Sequence, residues 1–277
     1  PSSPPRRSTK GGNLVNMLDV QGLIDPRNIP LDKVGVKGVR YPVTVLDREQ
    51  GTQHTVATVS LYVSLPHQFK GTHMSRFVEV FNNHYQELQM PTFLSILQKI
   101  QEALEAEKAY AEVSFPYFIR KRAPISKLES MMDYTCRYIG EVSADHEEFI
   151  VGVEAAVQTL CPCSKEISSQ GAHNQRGMVN VQVKLGPFFW IEEVIDIIEG
   201  ASSSGLYTLI KREDERHITE SAFDKPVFVE DLVRDVCVGL DGLNSFPWYS
   251  VEAETMESIH NHNAYAYVER GHRELQW

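Results

Sequence analysis

The sequence predicts an α+β protein in which antiparallel strands are backed by paired helices, built from two similar modules. Three observations predict it. Apolar residues alternate at period two in some stretches, recur at period 3.6 in others, and follow a strand–strand–helix–helix–strand order in both halves of the chain. Strands joined by short hairpins favour antiparallel pairing, and consecutive helices pack together on one face of a sheet.

In the first half, Val39 to Leu46 reads as a strand, and Ala57, Val59, Leu61, Val63 and Leu65 alternate as a second, with Glu49-Gln50-Gly51-Thr52 as the turn between them. The period then changes. Met74, Phe77, Val78, Phe81, Tyr85 and Leu88 fall on one helical face. Pro91 breaks that pattern, and Phe93, Ile96, Leu97, Ile100 and Leu104 begin another helix. Tyr110 to Ile119 and Met131 to Val142 read as two further strands.

The second half restarts with alternation at Phe149, Val151, Val153, Ala155 and Val157, then at Val179, Val181, Val183 and Leu185. Helical spacing returns at Ile191, Val194, Ile195 and Ile198 and again at Val229, Leu232, Val233, Val236 and Leu240; a last extended stretch runs from Trp248 to about Tyr267. The expected modules span residues 17–145 and 146–277, after a disordered tail of residues 1–16. Pro1 to Gly12 is polar, rich in Pro, Ser and basic residues, and has no apolar stretch of the kind a secretory signal needs.

Composition narrows the function. A chain of 277 residues, 42% hydrophobic, is long enough to bury a substantial core. No run approaches the ~18 apolar residues of a membrane span, so a cytoplasmic protein with no membrane partner is expected. The formal charge of −10 argues against a general nucleic-acid binder, which gains affinity by neutralising phosphates. It leaves room for one phosphorylated small molecule, which needs only a few cations at one place.

Of the 4 cysteines, Cys136 and Cys237 sit among apolar neighbours and read as buried, inert thiols. Cys161 and Cys163 differ. Thr159-Leu160-Cys161-Pro162-Cys163-Ser164-Lys165-Glu166 carries a strand into a Pro-kinked turn, and His173 precedes the next strand, so a hairpin connection can bring thiolate and imidazole together. With one carboxylate they would make a three-ligand site with a position open to water. The alternative is a pair of turn thiols and a surface histidine. The charged run Lys211-Arg212-Glu213-Asp214-Glu215-Arg216-His217, read as an inter-helix loop or helix end, offers carboxylates.

Two other clusters carry chemistry. Glu252, Glu254 and Glu257, ending in His260-Asn261-His262, suit a planar edge of N–H donors and a proton transfer, or else form a solvated edge strand. Lys70, His73 and Arg76 surround a strand-to-helix junction, where free N–H groups and nearby cations favour a polyphosphate; Thr72 is equally an N-cap there. Arg120-Lys121-Arg122 reads as a solvated strand end.

Together, Asp19-Val20-Gln21, Gly38-Val39-Arg40-Tyr41-Pro42, Lys70 to Phe77, Cys161 to Glu166 with His173-Asn174-Gln175-Arg176, and Glu254 to His262 resemble GTP cyclohydrolase of type IB. The resemblance runs from about Asp19 to Glu269 and implies the tunnelling fold, assembled as a homo-oligomer, a tetramer with sites near subunit interfaces. It implies conversion of GTP and water to 7,8-dihydroneopterin triphosphate and formate, with one divalent cation per site: manganese, iron or zinc. Carried over residue by residue, it makes Cys161, His173 and Glu215 the metal ligands, His260 a proton-transfer residue beside the catalytic Cys161, and Glu257 the guanine anchor. Lys70, His73 and Arg76 as triphosphate ligands follow from charge and position; Cys163 and Glu230 are possible supports. The rivals are a deazaguanine nitrile reductase of the same fold, which needs no metal, and a non-catalytic protein with a structural metal.

Overall fold

A computed structural model describes residue 21, residues 24–86 and residues 88–272; the expected tail lies outside them. The elements follow the order β1 (Leu31–Asp47), β2 (Gly51–Leu65), α1 (Met74–Asn82), α2 (Met90–Ala103), β3 (Lys108–Arg122), β4 (Glu129–Ser143), β5 (Glu147–Leu160), α3 (Pro162–Ile167), β6 (Asn174–Lys184), α4 (Ile191–Ala201), β7 (Ser204–Gly205), α5 (Arg212–Asp224), α6 (Val229–Leu243), β8 (Trp248–Thr255) and β9 (Ala264–Gly271). All pairings are antiparallel, in a 9-stranded sheet ordered β1-β2-β3-β4-β5-β6-β8-β9, with β7 against the end of β5. This is the tunnelling-fold arrangement; the first half runs strand–strand–helix–helix–strand–strand, and the second adds the short elements α3 and β7 and a third long helix between its strands.

One sheet face is covered and the other is bare. Odd-numbered residues of β2 and β3, even-numbered residues of β4 and odd-numbered residues of β5, β6 and β8 point to the helices; Val59, Val113, Cys136, Val153, Val181 and Val251 are all buried in one core. Period two is what places them there, since a strand sends alternate side chains to opposite faces. On the helix side, Phe77 and Phe81 of α1, Leu97 and Ile100 of α2, Ile195 and Ile198 of α4 and Leu232 and Val236 of α6 complete that core. The bare face carries charge instead, for example the Arg137–Glu154 pair at 3.2 Å. Cys136 and Cys237 are buried as expected, and burial pushes both thiols up from their ordinary value.

The helical pattern from Met74 to Leu88 does not run through. α1 stops at Asn82, with Asn83 as its C-cap, because paired asparagines compete for the backbone and disfavour helix. Leu88 is nonetheless fully buried, and its N–H donates to Thr44 O at 3.1 Å. Pro91 does not merely end a helix. It opens α2 at the first turn, where its missing N–H costs nothing. The N-cap of α1 is His73 rather than Thr72. In the β1–β2 turn, Gly51 takes φ 79°, a left-handed conformation that a residue with a Cβ would resist.

The charged run falls at a helix end, one of its two expected places, and a further short helix lies where a turn was expected. The Lys211–His217 run is the start of α5, whose first turn carries Glu213, Asp214 and Glu215 at the positive end of the helix. The Cys161 turn begins the short helix α3, with Cys161 as N-cap. The extended stretch from Trp248 is two strands, with residues 256–263 as the connection between them.

Candidate active site

The strands of the second half bring one end of the sheet to a point. Cys161 follows the C-terminus of β5, His173 precedes β6, and Glu257 and His260 follow β8. Antiparallel order places these three chain ends at the same sheet edge. There, Cys161, Cys163, His173, Gln175, Glu230, Glu257, His260 and His262 line a cavity of about 320 Å³, walled by Val227, Phe228 and Val229 at the start of α6.

Backbone bonds fix the thiol and the imidazole. Cys161 N–H donates to His173 O at 3.0 Å, and His173 N–H to Ser164 Oγ at 3.2 Å. Ser164 Oγ donates in turn to Cys161 O at 3.2 Å, and Ser164 N–H points at Cys161 Sγ at 3.4 Å. The hairpin connection therefore does bring sulfur and imidazole to one cavity. The α6 wall is fastened by Val227 N–H to Leu160 O at 3.0 Å.

The β8–β9 connection supplies the rest. Met256 N–H donates to Arg176 O at 3.0 Å, and Asn263 Nδ2 donates to Glu254 Oε1 at 2.6 Å, so both ends of the connection are tied to the sheet. Between them, Glu257 turns inward with its side chain 10% exposed, its Oε2 3.9 Å from His173 Nδ1. His260 lies edge-on to His173 with ring centroids 6.2 Å apart, and His262 stacks on His260 at 5.2 Å. One ligand atom each from His173, Glu257 and His260 lie within 4.8 Å of one another, close enough to share a single cation.

Other candidates go elsewhere. Glu215 is exposed on the first turn of α5 and does not line this cavity. The reason is local: its neighbour Asp214 is fully buried and accepts from Ile125 N, Ser126 N, Ser126 Oγ and Lys211 N, which clamps that helix end to the β3–β4 turn. Burial alone would raise the Asp214 pKa, but these donors hold it well below the usual carboxylate range. The opposite end of α5 is the one near the site, where Lys165 Nζ donates to Phe223 O. The carboxylate that reaches His173 is Glu257.

Lys70, His73 and Arg76 lie at the other edge of the sheet. Register shows this: Val63 of β2 is level with Ala109 of β3, which is level with Val142 of β4, which is level with Glu147 at the start of β5. Cys161 follows the far end of β5. Lys70 and Arg76 are exposed, and Arg76 Nη1 donates to Ala103 O at 3.0 Å, closing the C-terminus of α2. Within one chain these cations and the Cys161 cavity do not meet.

Sequence reasoning passed over Gln175 and Thr255, both of which touch Glu257, and over the apolar wall before Glu230. The wall was readable as the start of α6. The two polar residues carried no signal that separates them from their neighbours.

A one-sided antiparallel sheet with thiol, imidazole and carboxylate converging on a cavity at a strand end is a tunnelling-fold protein with room for a small molecule there. Comparison with known proteins then gives the family. The description type I GTP cyclohydrolase folE2 matches residues 17–266, so the chain belongs to that family. GTP cyclohydrolase FolE2 of Syntrophus aciditrophicus (strain SB) is 52% identical over 254 residues, covering 92% of this chain and 100% of that protein. GTP cyclohydrolase FolE2 of Syntrophobacter fumaroxidans is 51% identical over 255 residues, covering 92% and 99%. Among solved structures, that of a highly active BTUO mutant overlays with a TM-score of 0.54 at 9% identity, covering 87% of this chain and 100% of that one, a likeness of fold alone. No helix among the described residues is long and apolar enough to cross a membrane.

Proposed function

We propose that the protein is a cytoplasmic GTP cyclohydrolase that converts GTP and water to 7,8-dihydroneopterin triphosphate and formate, a first step toward folate or another pterin. The observation that carries this reading is the convergence of Cys161, His173, Glu257 and His260 on one cavity of about 320 Å³, in a chain matched over residues 17–266 by that family. The donor set fits a divalent cation. His173, Glu257 and His260 offer ligand atoms within 4.8 Å of one another, and Cys161 adds a sulfur at the same cavity. Mixed sulfur, nitrogen and oxygen donors suit zinc or iron and tolerate manganese.

Cys161, His173 and Glu215 are the proposed cation ligands; Glu215 does not line the cavity within one chain, so it would reach the cation from a neighbouring copy. When bound, the cation supplies Lewis acidity that brings the pKa of water toward neutrality. The remaining work belongs to the chain. Glu257, fixed by its neighbours, accepts from the N1–H and exocyclic amine of guanine; adenine presents no such paired donors and would leave the carboxylate unsatisfied. His260 supplies the proton that makes N7 electron-poor, so that water adds at C8 and the imidazole ring opens. A second hydrolysis releases formate, and the rearranged ribose closes the new ring. Val227, Phe228 and Val229 form the apolar side of the cavity and limit bulk water there. Cys163 and Glu230, on the same cavity, are supports.

Lys70, His73 and Arg76 reach the triphosphate only from a neighbouring copy, which agrees with a homotetramer whose sites lie near subunit interfaces. The halves 17–145 and 146–277 are the two modules of each subunit.

The test pairs metal analysis with a fluorescent-pterin assay on Glu257→Gln. Anchoring of guanine predicts a raised KM for GTP with metal content unchanged; loss of the metal would reassign Glu257 as a ligand. A protein that binds no metal and makes no pterin from GTP would end the proposal.

A further inference from the structure

We infer that Gln175 is a positioning residue of the catalytic centre: its side-chain amide joins His173 to Glu257 and fixes which atom each presents to the cavity. This rests on the reading of the Cys161 cavity as the catalytic centre. Gln175 is the second residue of β6, level with Thr159 of β5, and two residues on, Gly177 is level with Thr255 of β8. Pairing on both sides holds that part of β6 in place, so the amide is mounted on rigid backbone. Its Oε1 lies 3.3 Å from His173 Nδ1, and its Nε2 donates to Glu257 Oε1 at 3.2 Å. Thr255 Oγ1 donates to the same Glu257 oxygen at 3.0 Å.

The chemistry of the three groups gives this chain a direction. An ionised carboxylate only accepts, so the amide must turn its NH₂ toward Glu257. That turns its carbonyl oxygen toward His173, where it can accept a hydrogen bond only from Nδ1–H. Nδ1–H is therefore the tautomer the site selects, and the lone pair is left on Nε2, the nitrogen free to bind a cation. At the other end, the two donors to Glu257 Oε1 fix the rotation of the carboxylate and turn Oε2 to what enters the cavity. A single amide thus sets both the imidazole and the carboxylate. Glutamate at this position would keep the acceptor for His173 and lose the donor for Glu257; methionine, of similar shape, would lose both.

Three variants test this: Gln175→Met, Gln175→Glu and His173→Ala, each made metal-free and titrated with zinc against a chromophoric chelator. Gln175→Met is expected to bind zinc about 10- to 100-fold more weakly. Long-range proton–nitrogen NMR of histidine-labelled, metal-free protein is expected to show His173 as the Nδ1–H form in the unsubstituted protein and as a mixture of tautomers in Gln175→Met. Gln175→Glu is expected to keep the Nδ1–H form while raising KM for GTP, because only the Glu257 side is released. Unchanged zinc affinity and an unchanged tautomer in Gln175→Met would overturn the inference. Unchanged zinc affinity in His173→Ala would overturn the reading of the cavity instead, so the two failures are distinguishable.

Discussion

The separation of the cationic cluster from the Cys161 cavity makes a sharp prediction about assembly. Along β5, Glu147 marks the level of the β2 end that leads to Lys70, and Leu160 leads to Cys161, thirteen residues further on. At ~3.3 Å per residue the two ends are about 43 Å apart along the strand, before the sideways step across the intervening strands. No single nucleoside triphosphate spans that distance. If both clusters serve one GTP, they belong to different copies of the chain. A variant with Lys70→Ala and Arg76→Ala loses two charge-assisted contacts of about 1.5–3 kcal/mol each, hence roughly 10²- to 10⁴-fold in kcat/KM. A Cys161→Ala variant is expected to be inactive for a different reason, loss of a proposed cation ligand. Co-expressed with different tags and purified as mixed oligomers, the two variants should complement. With random mixing, half the cavities are intact and half the neighbours carry intact cations, so about a quarter of sites are complete. Recovery near that fraction is the expected result. Mixed oligomers no more active than either parent would refute the shared-site reasoning and remove Lys70 and Arg76 from the site.

Other expectations are simpler. Cys161→Ala or His173→Ala should abolish pterin formation, and a chelator should silence the enzyme until divalent metal is restored; near-normal turnover with metal content unchanged would remove these ligands. Leu232→Ala, at a fully buried position of α6 behind the cavity wall, should cost about 2–5 kcal/mol in urea unfolding, with no loss arguing that α6 is loosely packed. Stability should fall at alkaline pH. Burial, with Glu141 and Asp32 nearby, pushes Tyr110 from 10.0 up to about 12, and burial raises Tyr134 and Tyr249 as well. The folded state therefore holds these protons longer than the unfolded chain, so their contribution is complete below pH 10.0 and is lost as pH rises toward the folded value. Phenolate absorbance that rises at the ordinary tyrosine pH, with the fold intact, would contradict this.

Most of the fold was legible because burial writes a period into the chain. Ala57, Val59, Leu61 and Val63 alternate and are all buried, and Val229, Leu232, Val233, Val236 and Leu240 follow a helical stripe and are all buried. α5 was illegible by the same logic: only Asp214 and Ala222 are buried in it, so no apolar stripe marks it, and the acidic first turn was its only signature. In the site, the meeting of Cys161 and His173 followed from the hairpin. Which carboxylate lines the same cavity within one chain did not. Glu215 and Glu257 look alike in a sequence, and only the fold shows Glu257 in the cavity and Glu215 exposed on α5 beside the clamped Asp214. Gln175 was hidden for a related reason, since an amide acquires its role only from the two groups on either side of it.

The connection that carries Glu257, His260 and His262 ends in β9, a strand bonded on only one side among the described residues and bearing the half-exposed rings of Tyr265 and Tyr267. A partner that docks along that free margin would pull on the same short loop whose far end carries Glu257 into the cavity. Chemistry and quaternary structure would then share a tether, and dilution that loosens one should be felt in the other before any subunit unfolds.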